Sequence, residues 1–346
     1  MTTTVSGSAA PTVPASMFDD AYRFTEPALR AALDRLDSQT RLVCGYHLGL
    51  WDADGGPGAG RGKGLRPALA ILSARAAGAP AERAVPAAVA CELVHNFSLL
   101  HDDVMDGDTT RRHRPTAWVR FGVPAAILAG DAMLSLANEI LVQAPEQTVA
   151  WAVRCLNTTT RRLIQGQAAD LAFESRHTVS VDECLQMAGD KTGALLACSA
   201  SLGAVLVDAP GKLALGLAEY GEHLGLAFQL NDDLLGIWGS PDRTGKSVWS
   251  DLRSRKKSVP VVAALTSDTP AGEQLRRLYA HDAAMSEQEL AQAAVLVEEA
   301  GGRAWTEQRA DAESAAAVQA LDGLDLPSTV REHLAALIRL MSGRDH

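Results

Sequence analysis

The chain has 346 residues, of which 47% are hydrophobic, so it can bury a substantial core as one large domain or two smaller ones. Its formal net charge of -10, without a lysine- or arginine-rich block, argues against nucleic acid or an anionic membrane as the main partner. Five cysteines without CxxC spacing, and the absence of a recognisable signal peptide or transmembrane segment, predict a cytoplasmic protein with free thiols.

The N-terminal residues 1–16 are mainly Thr, Ser, Ala, Pro and Gly, and we expect them to form a disordered tail. Helical spacing of apolar residues follows, and then a glycine-rich loop at residues 52–62. Predicted helices span residues 65–77, 85–105, 124–143, 149–172, 181–207, 213–237, 259–265, 273–279 and 286–300, and two or three more end near Met341. No segment has convincing strand alternation. The predicted fold is all-α, a single domain (residues 17–346) of long antiparallel helices around a central cavity.

Two cations stand at the start of the first of these predicted helices. Lys63 and Arg66 lie near a helix N-terminus, which itself favours anions. The preceding loop does not match a phosphate-binding P-loop, because Pro57 replaces its first glycine and Gly64 replaces its hydroxyl residue. A pair of solvated surface cations is the competing interpretation.

An acidic segment ends the next predicted helix. Asp102 and Asp106 share one helix face, and Asp103 lies about 100° round the axis. Such crowded carboxylates repel one another unless they are solvated, protonated or bridged by cations, and Mg²⁺ is the natural bridge to a phosphate. Arg111 and Arg112 follow, and guanidinium groups bind phosphate oxygens well. The alternative is an acidic helix end followed by a basic loop.

A second acidic pair, Asp232 and Asp233, lies in the C-terminal part of an apolar predicted helix. Lys191 interrupts another apolar helix, and Lys246 and Lys256 belong to a Gly- and Ser-rich loop with the composition of a mobile lid. Two carboxylate clusters with several cations predict Mg²⁺ ions that hold a diphosphate. Elsewhere, the charged side chains of one long helix are expected to line a solvated face, namely Arg161, Arg162, Asp170 and Glu174.

Taken together, the ordered motifs resemble those of the trans-isoprenyl diphosphate synthases, the polyprenyl synthetase family. The similarity extends from about Leu29 to the C-terminus. The motifs are Gly62-Lys63-x-x-Arg66-Pro67, His95-x-x-Ser98-Leu-x-His101-Asp102-Asp103-x-x-Asp106, Arg111-Arg112-x-x-Pro115-Thr116, Lys191-Thr192, Phe228-Gln229-x-x-Asp232-Asp233 and Lys246-x-x-x-x-Asp251-Leu-x-x-x-Lys256.

This resemblance implies a homodimeric prenyltransferase that joins isopentenyl diphosphate to an allylic diphosphate. Implied ligands of three Mg²⁺ ions are Asp102, Asp103, Asp106, Asp232 and Asp233. Implied contacts of the allylic diphosphate are Arg111, Lys191, Gln229, Lys246 and Lys256, and Thr192 is implied to bind substrate. Implied contacts of the isopentenyl diphosphate are Lys63, Arg66, His95 and Arg112. The residues implied to be catalytic are Asp102, Asp103, Asp106, Lys191 and Asp232.

Two features bear on how far the resemblance extends. Gly236 stands where family members usually carry a third aspartate, so we expect weaker metal affinity with catalysis retained. Phe97 and Ser98 precede the first motif, where the family forms the floor of the channel for the hydrocarbon tail. A large ring at this place and a motif without insertion resemble C20 producers, which favours geranylgeranyl diphosphate as product, with farnesyl diphosphate next.

Two rival functions are weighed against this one. A class I terpene cyclase would need serine and glutamate where Leu235 and Gly239 follow Asn231-Asp232, so the sequence argues against cyclisation. A non-catalytic regulatory or passenger homologue fits Gly236 and a tail that serves as a docking peptide for a partner. The prenyltransferase remains the favoured interpretation.

Overall fold

The computed structural model describes residues 15–58, 60, 62, 64–240, 248–280 and 284–342. The helices up to the centre of the chain are α1 (Ala15–Leu33), α2 (Ser38–Leu48), α3 (Leu65–Ala76), α4 (Val85–Met105), α5 (Ala117–Phe121), α6 (Val123–Val142), α7 (Glu146–Ser175) and α8 (Val181–Ala188). The later ones are α9 (Ala194–Leu206), α10 (Gly211–Trp238), α11 (Ser250–Arg253), α12 (Val259–Leu265), α13 (Pro270–Tyr279), α14 (Glu287–Glu299), α15 (Gly302–Asp322) and α16 (Ser328–Met341). The predicted all-α fold class is confirmed.

Helix α9 lies at the centre of this bundle. Nearly all of its side chains are apolar or small and buried, which is typical of a helix surrounded by protein on every side. It packs against α3, α7 and α10, while α4 packs against α6 and α10 against α15. One apolar cluster joins α2, α4 and α6, and another joins α3, α9, α10 and α16. The C-terminal part of α4 and the middle of α10 are thereby held in a rigid frame.

Several local features differ from the predicted elements, among them the short helices α5 and α11, which were not predicted. The predicted helix 181–207 contains one π-helical turn, Gly189–Gly193, between α8 and α9. A short hairpin pairs β1 (Thr110–Arg111) with β2 (Arg114–Pro115), and strands of two residues are too short to show alternation. Helix α1 begins at Ala15, so the rest of the predicted tail lies outside the described residues. The single-domain boundary at residue 17 stays a prediction.

Helix α6 is long and apolar enough to cross a membrane by length and composition alone. In this structure it packs against α2, α4 and α7, and 44% of its most apolar window is buried. A helix that contributes to a protein core passes the same test. Its exposed apolar side chains include Ile127 and Leu128.

The contact between α3 and α9 depends on Gly203. A Cβ atom at this position would lie 2.1 Å from the Ala70 carbonyl oxygen and 2.5 Å from Ser73 Oγ. We expect Gly203→Ala to lower the free energy of unfolding by about 1–3 kcal/mol, because the two helices would have to separate. Urea unfolding would measure the loss. Gly211→Ala is the control, since a Cβ there has no neighbour within 4 Å, and equal losses in both variants would contradict this interpretation.

Candidate active site

The carboxylates of the first acidic segment point in two directions at the end of α4. Asp102 Oδ2 lies 4.0 Å from Lys191 Nζ, which donates a hydrogen bond to Asp170 Oδ2 at 2.7 Å. The charges of Lys191 and Asp170 also act on Asp106. Asp102 and Asp106 therefore face one cluster, as their helical spacing predicts, and Asp103 faces elsewhere.

This cluster contains more negative than positive charge. Burial raises the pKa of Asp102 to about 6; Lys191 opposes the rise, and Asp106 adds to it. Burial also raises the pKa of Asp106, with Lys191 lowering it and Asp170 raising it. A divalent cation would relieve the repulsion that contributes to both shifts. The donor set is composed of oxygen atoms, which suits Mg²⁺.

Asp103 forms an ion pair on the other side of α4. Arg111 Nε donates to Asp103 Oδ1 at 2.7 Å, and the Asp103 side chain is only 1% exposed. Burial raises the pKa of Asp103, and Arg111 lowers it. The second oxygen, Oδ2, is buried without a hydrogen-bond partner. Because such an acceptor is costly to bury, a cation or a donor bound there would be stabilising.

The turn of the hairpin carries Arg112 in a strained conformation. Arg112 and His113 have φ angles of 50° and 59°, and they connect the paired residues Arg111 and Arg114. This is the backbone of a type I′ turn, which usually contains Asn-Gly. A residue with a Cβ is strained there by about 1–2 kcal/mol. The turn places Arg112 Nη2 beside Gly62, 3.1 Å from where a Cβ would be.

A cavity of about 490 Å³ lies between this hairpin and the loop that follows α2. Its charged and titratable lining consists of Tyr46, His47, Asp103, Arg111, Arg112 and Arg114. Three guanidinium groups outnumber one carboxylate, so the cavity is suited to an anion. Because Asp103 and Arg111 line it, the cavity adjoins the first acidic segment.

Arg66 and His95 add to this basic region. Burial, then the charges of Arg66 and Arg112, hold the pKa of His95 well below its usual range, so the imidazole is neutral at pH 7. Burial, together with the charges of Arg111 and Arg112, lowers the pKa of His47 to about 3. Arg66 Nε and His47 Nε2 are buried without hydrogen-bond partners. An anionic ligand would supply acceptors to such groups. The predicted ligand Lys63 lies outside the described residues.

The two aspartates of the second acidic pair differ in their burial and in their hydrogen bonds. Asp232 is exposed, whereas Asp233 is buried. Gln229 Nε2 donates to Asp233 Oδ1 at 2.9 Å, and the Val259 backbone N–H donates to Asp233 Oδ2 at 3.0 Å. Burial raises the pKa of Asp233 to about 6, and Lys256 opposes the rise. Asp233 thus holds the start of α12 in place, and direct metal binding by this residue would compete with two hydrogen bonds.

Two lysines connect the acidic segments, which are far apart in sequence. Lys191 lies beside Asp102, and its neighbour Thr192 donates from Oγ1 to Gln229 Oε1 at 2.7 Å. Burial alone would lower the pKa of Lys256, yet Asp233 and Asp251 raise it above its usual value. The charge of Lys256 in turn lowers the pKa of Asp106. The predicted residues Lys191, Thr192, Gln229 and Lys256 are therefore brought together. Lys246 lies outside the described residues.

The expectation of a solvated face on α7 is wrong for two of its four residues. Arg161 and Glu174 are exposed, as expected. Arg162 is bonded to Asp190 and Glu222, and Asp170 to Lys191. The sequence feature that could have indicated that this face of α7 is packed is Gly166, which lies midway between Arg162 and Asp170 on the same helix face.

Comparison with known proteins identifies the family. The family model described as "Polyprenyl synthetase" matches residues 59–297. The chain belongs to the polyprenyl synthetase family. It is a trans-prenyltransferase of the short-chain class. The motif resemblance found in the sequence is thereby confirmed at the level of the family.

Relatives within this family carry two product names. The (2E,6E)-farnesyl diphosphate synthase of Mycobacterium tuberculosis is 51% identical over 294 residues, 84% of this chain and 82% of that protein. A geranylgeranyl diphosphate synthase of the same species is 44% identical over 322 residues, 92% of this chain and 91% of that protein.

Solved structures in the same family are also similar. A polyprenyl synthetase from Streptomyces coelicolor A3(2) has a TM-score of 0.89 and 51% identity, covering 94% of this chain and 98% of that chain. A geranylgeranyl pyrophosphate synthase from Corynebacterium glutamicum, solved in complex with isoprenyl diphosphate and magnesium, has a TM-score of 0.78 and 27% identity. The second match covers 96% of this chain and 98% of that chain.

In this polyprenyl synthetase the position of the missing third aspartate is filled from elsewhere. A Cβ at Gly236 would lie between 2.4 and 2.7 Å from the carboxylate atoms of Asp251, which is itself buried. Gly236 and Asp232 are one helical turn apart on α10 and share a face. The side chain of Asp251 therefore brings a carboxylate to the place beside Gly236 that an aspartate on α10 would occupy.

Substitution at Gly236 tests this packing. We expect Gly236→Ala to lower the free energy of unfolding by about 1–3 kcal/mol, because the new methyl group collides with the Asp251 carboxylate. Gly236→Asp is expected to lower the free energy of unfolding by a larger amount, since it adds a second buried negative charge. Combining Gly236→Asp with Asp251→Gly should recover part of that stability in urea unfolding. Gly236→Asp with wild-type stability would contradict the assigned packing.

Proposed function

We propose that this chain joins isopentenyl diphosphate to an allylic diphosphate, and that each diphosphate has a region of its own. The observation that carries the proposal is the Asp103–Arg111 ion pair at 2.7 Å, which links the acidic end of α4 to the arginine-lined cavity. A cation-dependent diphosphate site and a basic diphosphate site thus share one wall. This is the arrangement that a condensation of two diphosphates requires.

Mg²⁺ is the proposed cofactor, with three ions in each active site. The proposed ligands are Asp102, Asp103, Asp106, Asp232 and Asp233. Within the described residues, no group of three or more Asp, Glu, His or Cys side chains converges closely enough to hold a metal ion by itself. That fits Mg²⁺, which commonly keeps several water ligands and completes its shell with substrate phosphates. The Corynebacterium glutamicum structure, solved with magnesium and isoprenyl diphosphate, supports the same assignment.

The basic residues divide between the two substrates. We assign to the allylic diphosphate the residues Arg111, Lys191, Thr192, Gln229, Lys246 and Lys256. We assign to isopentenyl diphosphate the residues Lys63, Arg66, His95 and Arg112. The buried, unpartnered nitrogen of Arg66 and the neutral imidazole of His95 support the second group, since both lie beside a cavity with excess positive charge.

The chemistry follows from these assignments. Bound Mg²⁺ supplies electrophilic stabilisation of the leaving diphosphate. Lys191 and Lys256 add positive charge there, so the allylic C–O bond breaks with its electron pair on the diphosphate oxygen. The C3=C4 double bond of isopentenyl diphosphate then attacks the allylic carbocation, and a C2 proton leaves to the released diphosphate. The apolar core around α4 and α6 excludes water, which would otherwise capture the cation.

Replacement of Asp102 tests the site. We expect Asp102→Ala to lower turnover by several orders of magnitude while the fold remains intact. The reason is that the variant loses a ligand of the proposed Mg²⁺, whose positive charge stabilises the leaving diphosphate. Asp103→Ala should act in the same direction, with release of Arg111. Steady-state assays with isopentenyl diphosphate, Mg²⁺ and C5, C10 or C15 allylic diphosphates would measure this. Asp108→Asn changes an exposed carboxylate in the same segment and is the control. Wild-type turnover in Asp102→Ala would overturn the assignment.

The product is proposed to be geranylgeranyl diphosphate, with farnesyl diphosphate as the second candidate. Phe97 is 5% exposed and packs edge-on against His101, with 5.5 Å between ring centroids, just before the acidic segment. Ser98 is buried, and its hydroxyl donates to the His95 carbonyl oxygen. A large ring in this position limits the channel for the growing chain. Relatives named for each product support both candidates.

Phe97→Ala tests the floor of this channel. We expect longer products, because the removed ring leaves space beneath the first acidic segment. Chromatography of the dephosphorylated products would give their lengths. Leu69→Ala also opens a cavity, but in the cluster beneath α3, so it controls for lost stability without changing the floor. An unchanged product from a folded Phe97→Ala protein would dismiss Phe97 as the determinant.

A second copy of the chain is the proposed partner. Helices α6 and α7 expose large apolar side chains, among them Ile127, Leu128, Val142 and Trp151. An exposed apolar surface of this kind is typical of an interface. We place the homodimer in the cytoplasm, where the five free cysteines stay reduced.

A further inference from the structure

The π-helical turn Gly189–Gly193 carries two neighbouring residues of the site. A π-helical turn is uncommon and is frequently found at functional sites. Lys191 extends from it towards Asp102, at 4.0 Å between Nζ and Oδ2. Thr192 extends towards Gln229, which in turn is bonded to the second acidic pair. Lys191 and Thr192, consecutive residues of one turn, therefore extend towards different acidic segments.

An ionic network holds this turn from both sides. Asp190 is in the turn, and its side chain is 4% exposed. Arg162 Nε donates to Asp190 Oδ1 at 2.7 Å, and Gln186 Nε2 donates to Asp190 Oδ2 at 2.9 Å. Arg162 Nη2 donates to Glu222 Oε1 at 2.6 Å. One guanidinium group thus ties α7, the turn and α10 together.

The same face of α7 also fixes the backbone of the turn. Arg162, Gly166 and Asp170 are spaced by four residues and lie on one side of the helix. A Cβ at Gly166 would lie 2.5 Å from the Lys191 backbone nitrogen, so the approach requires glycine. Asp170 accepts from the Lys191 side chain at 2.7 Å. Lys191 is consequently held at its backbone by contact with Gly166 and at its ammonium group by Asp170, next to the Arg162–Asp190 ion pair.

We propose that Arg162, Asp190 and Glu222 are positioning residues that keep the π-helical turn in its wide form and so orient Lys191 and Thr192 towards the allylic diphosphate. A buried carboxylate needs its charged partner, and this requirement opposes any movement of Asp190 away from Arg162. Without the ion pair the turn loses the contact that fixes it to α7. The inference rests on the proposed function, because the orientation matters only if Lys191 contacts that substrate.

Asp190→Asn is the principal test, with separate KM values measured for the two substrates. We expect the KM for the allylic diphosphate to rise and kcat to fall, together by about 10- to 100-fold in kcat/KM, since a small misplacement has effects of this size. The KM for isopentenyl diphosphate should stay unchanged, because its proposed residues lie around the arginine cavity. A purely structural loss would instead reduce the active fraction and leave both KM values unchanged.

Glu313→Gln is the matched control. Glu313 is a buried carboxylate with a 6% exposed side chain, bonded to Arg309 at 2.6 Å and to His223 of α10 at 2.6 Å. It lies on α15, and its hydrogen-bond partners, His223 and Arg309, are outside the π-helical turn. Melting temperatures would compare the structural cost of the two changes. We expect both variants to be destabilised, but only Asp190→Asn to change the KM for the allylic diphosphate.

Three further variants cover the case in which Asp190→Asn fails to fold. Glu222→Gln changes the half-exposed end of the network, and Arg162→Lys retains the charge that Arg162→Met removes. The KM for the allylic diphosphate should rise less in Arg162→Lys than in Arg162→Met. Unchanged allylic KM values throughout, or an equal change in Glu313→Gln, would overturn the inference. A wild-type chain without condensing activity would instead count against the proposed function, and binding of inorganic diphosphate with Mg²⁺, measured by calorimetry, would then test the network.

Discussion

Repulsion between closely spaced carboxylates is the constraint on which the rest of the structure depends. Asp102, Asp106 and Asp170 surround one ammonium group, that of Lys191, and burial and mutual repulsion raise the pKa values of the first two. Such a cluster is stable only in a frame whose own packing is strong enough to hold the charges together. The apolar helix α9 and its neighbours supply that frame. Stability is concentrated in the core, and the cluster keeps an excess of negative charge that the proposed Mg²⁺ would neutralise.

The helices and the acidic segments were predictable because both depend on local patterns. Apolar periodicity and Gly- and Pro-containing connections predict α3, α4, α6, α7 and α10 to within a few residues, whereas α5 was not predicted and α8 and α9 were predicted as one helix. The spacing of Asp102 and Asp106 alone predicts that they share one helix face, without reference to any tertiary contact. The π-helical turn was not predictable in the same way, since one extra residue leaves the apolar pattern on both sides intact.

The interactions that could not be predicted are those between residues that are far apart in the sequence. Arg162 and Asp170 look like solvent-exposed charges on a polar stretch of α7, because their partners come from a turn and a helix later in the chain. Gly236 looks like a missing ligand, because nothing in the local sequence shows that Asp251 fills its side-chain space. Arg111 similarly looks like a simple phosphate ligand, whereas its guanidinium is bonded to Asp103. Local sequence identifies the charged residues, but only the fold determines which charges meet.

In the hairpin that carries Arg112, a strained backbone accompanies a charged side chain in the cavity. Arg112 and His113 occupy a backbone conformation that Asn-Gly would adopt with less strain. A search for thermostabilising substitutions would therefore select this turn early. The substitution would remove a guanidinium group that lines the basic cavity. The strain in these two residues thus marks a position where selection for a more stable protein and selection for a better anion site favour opposite amino acids.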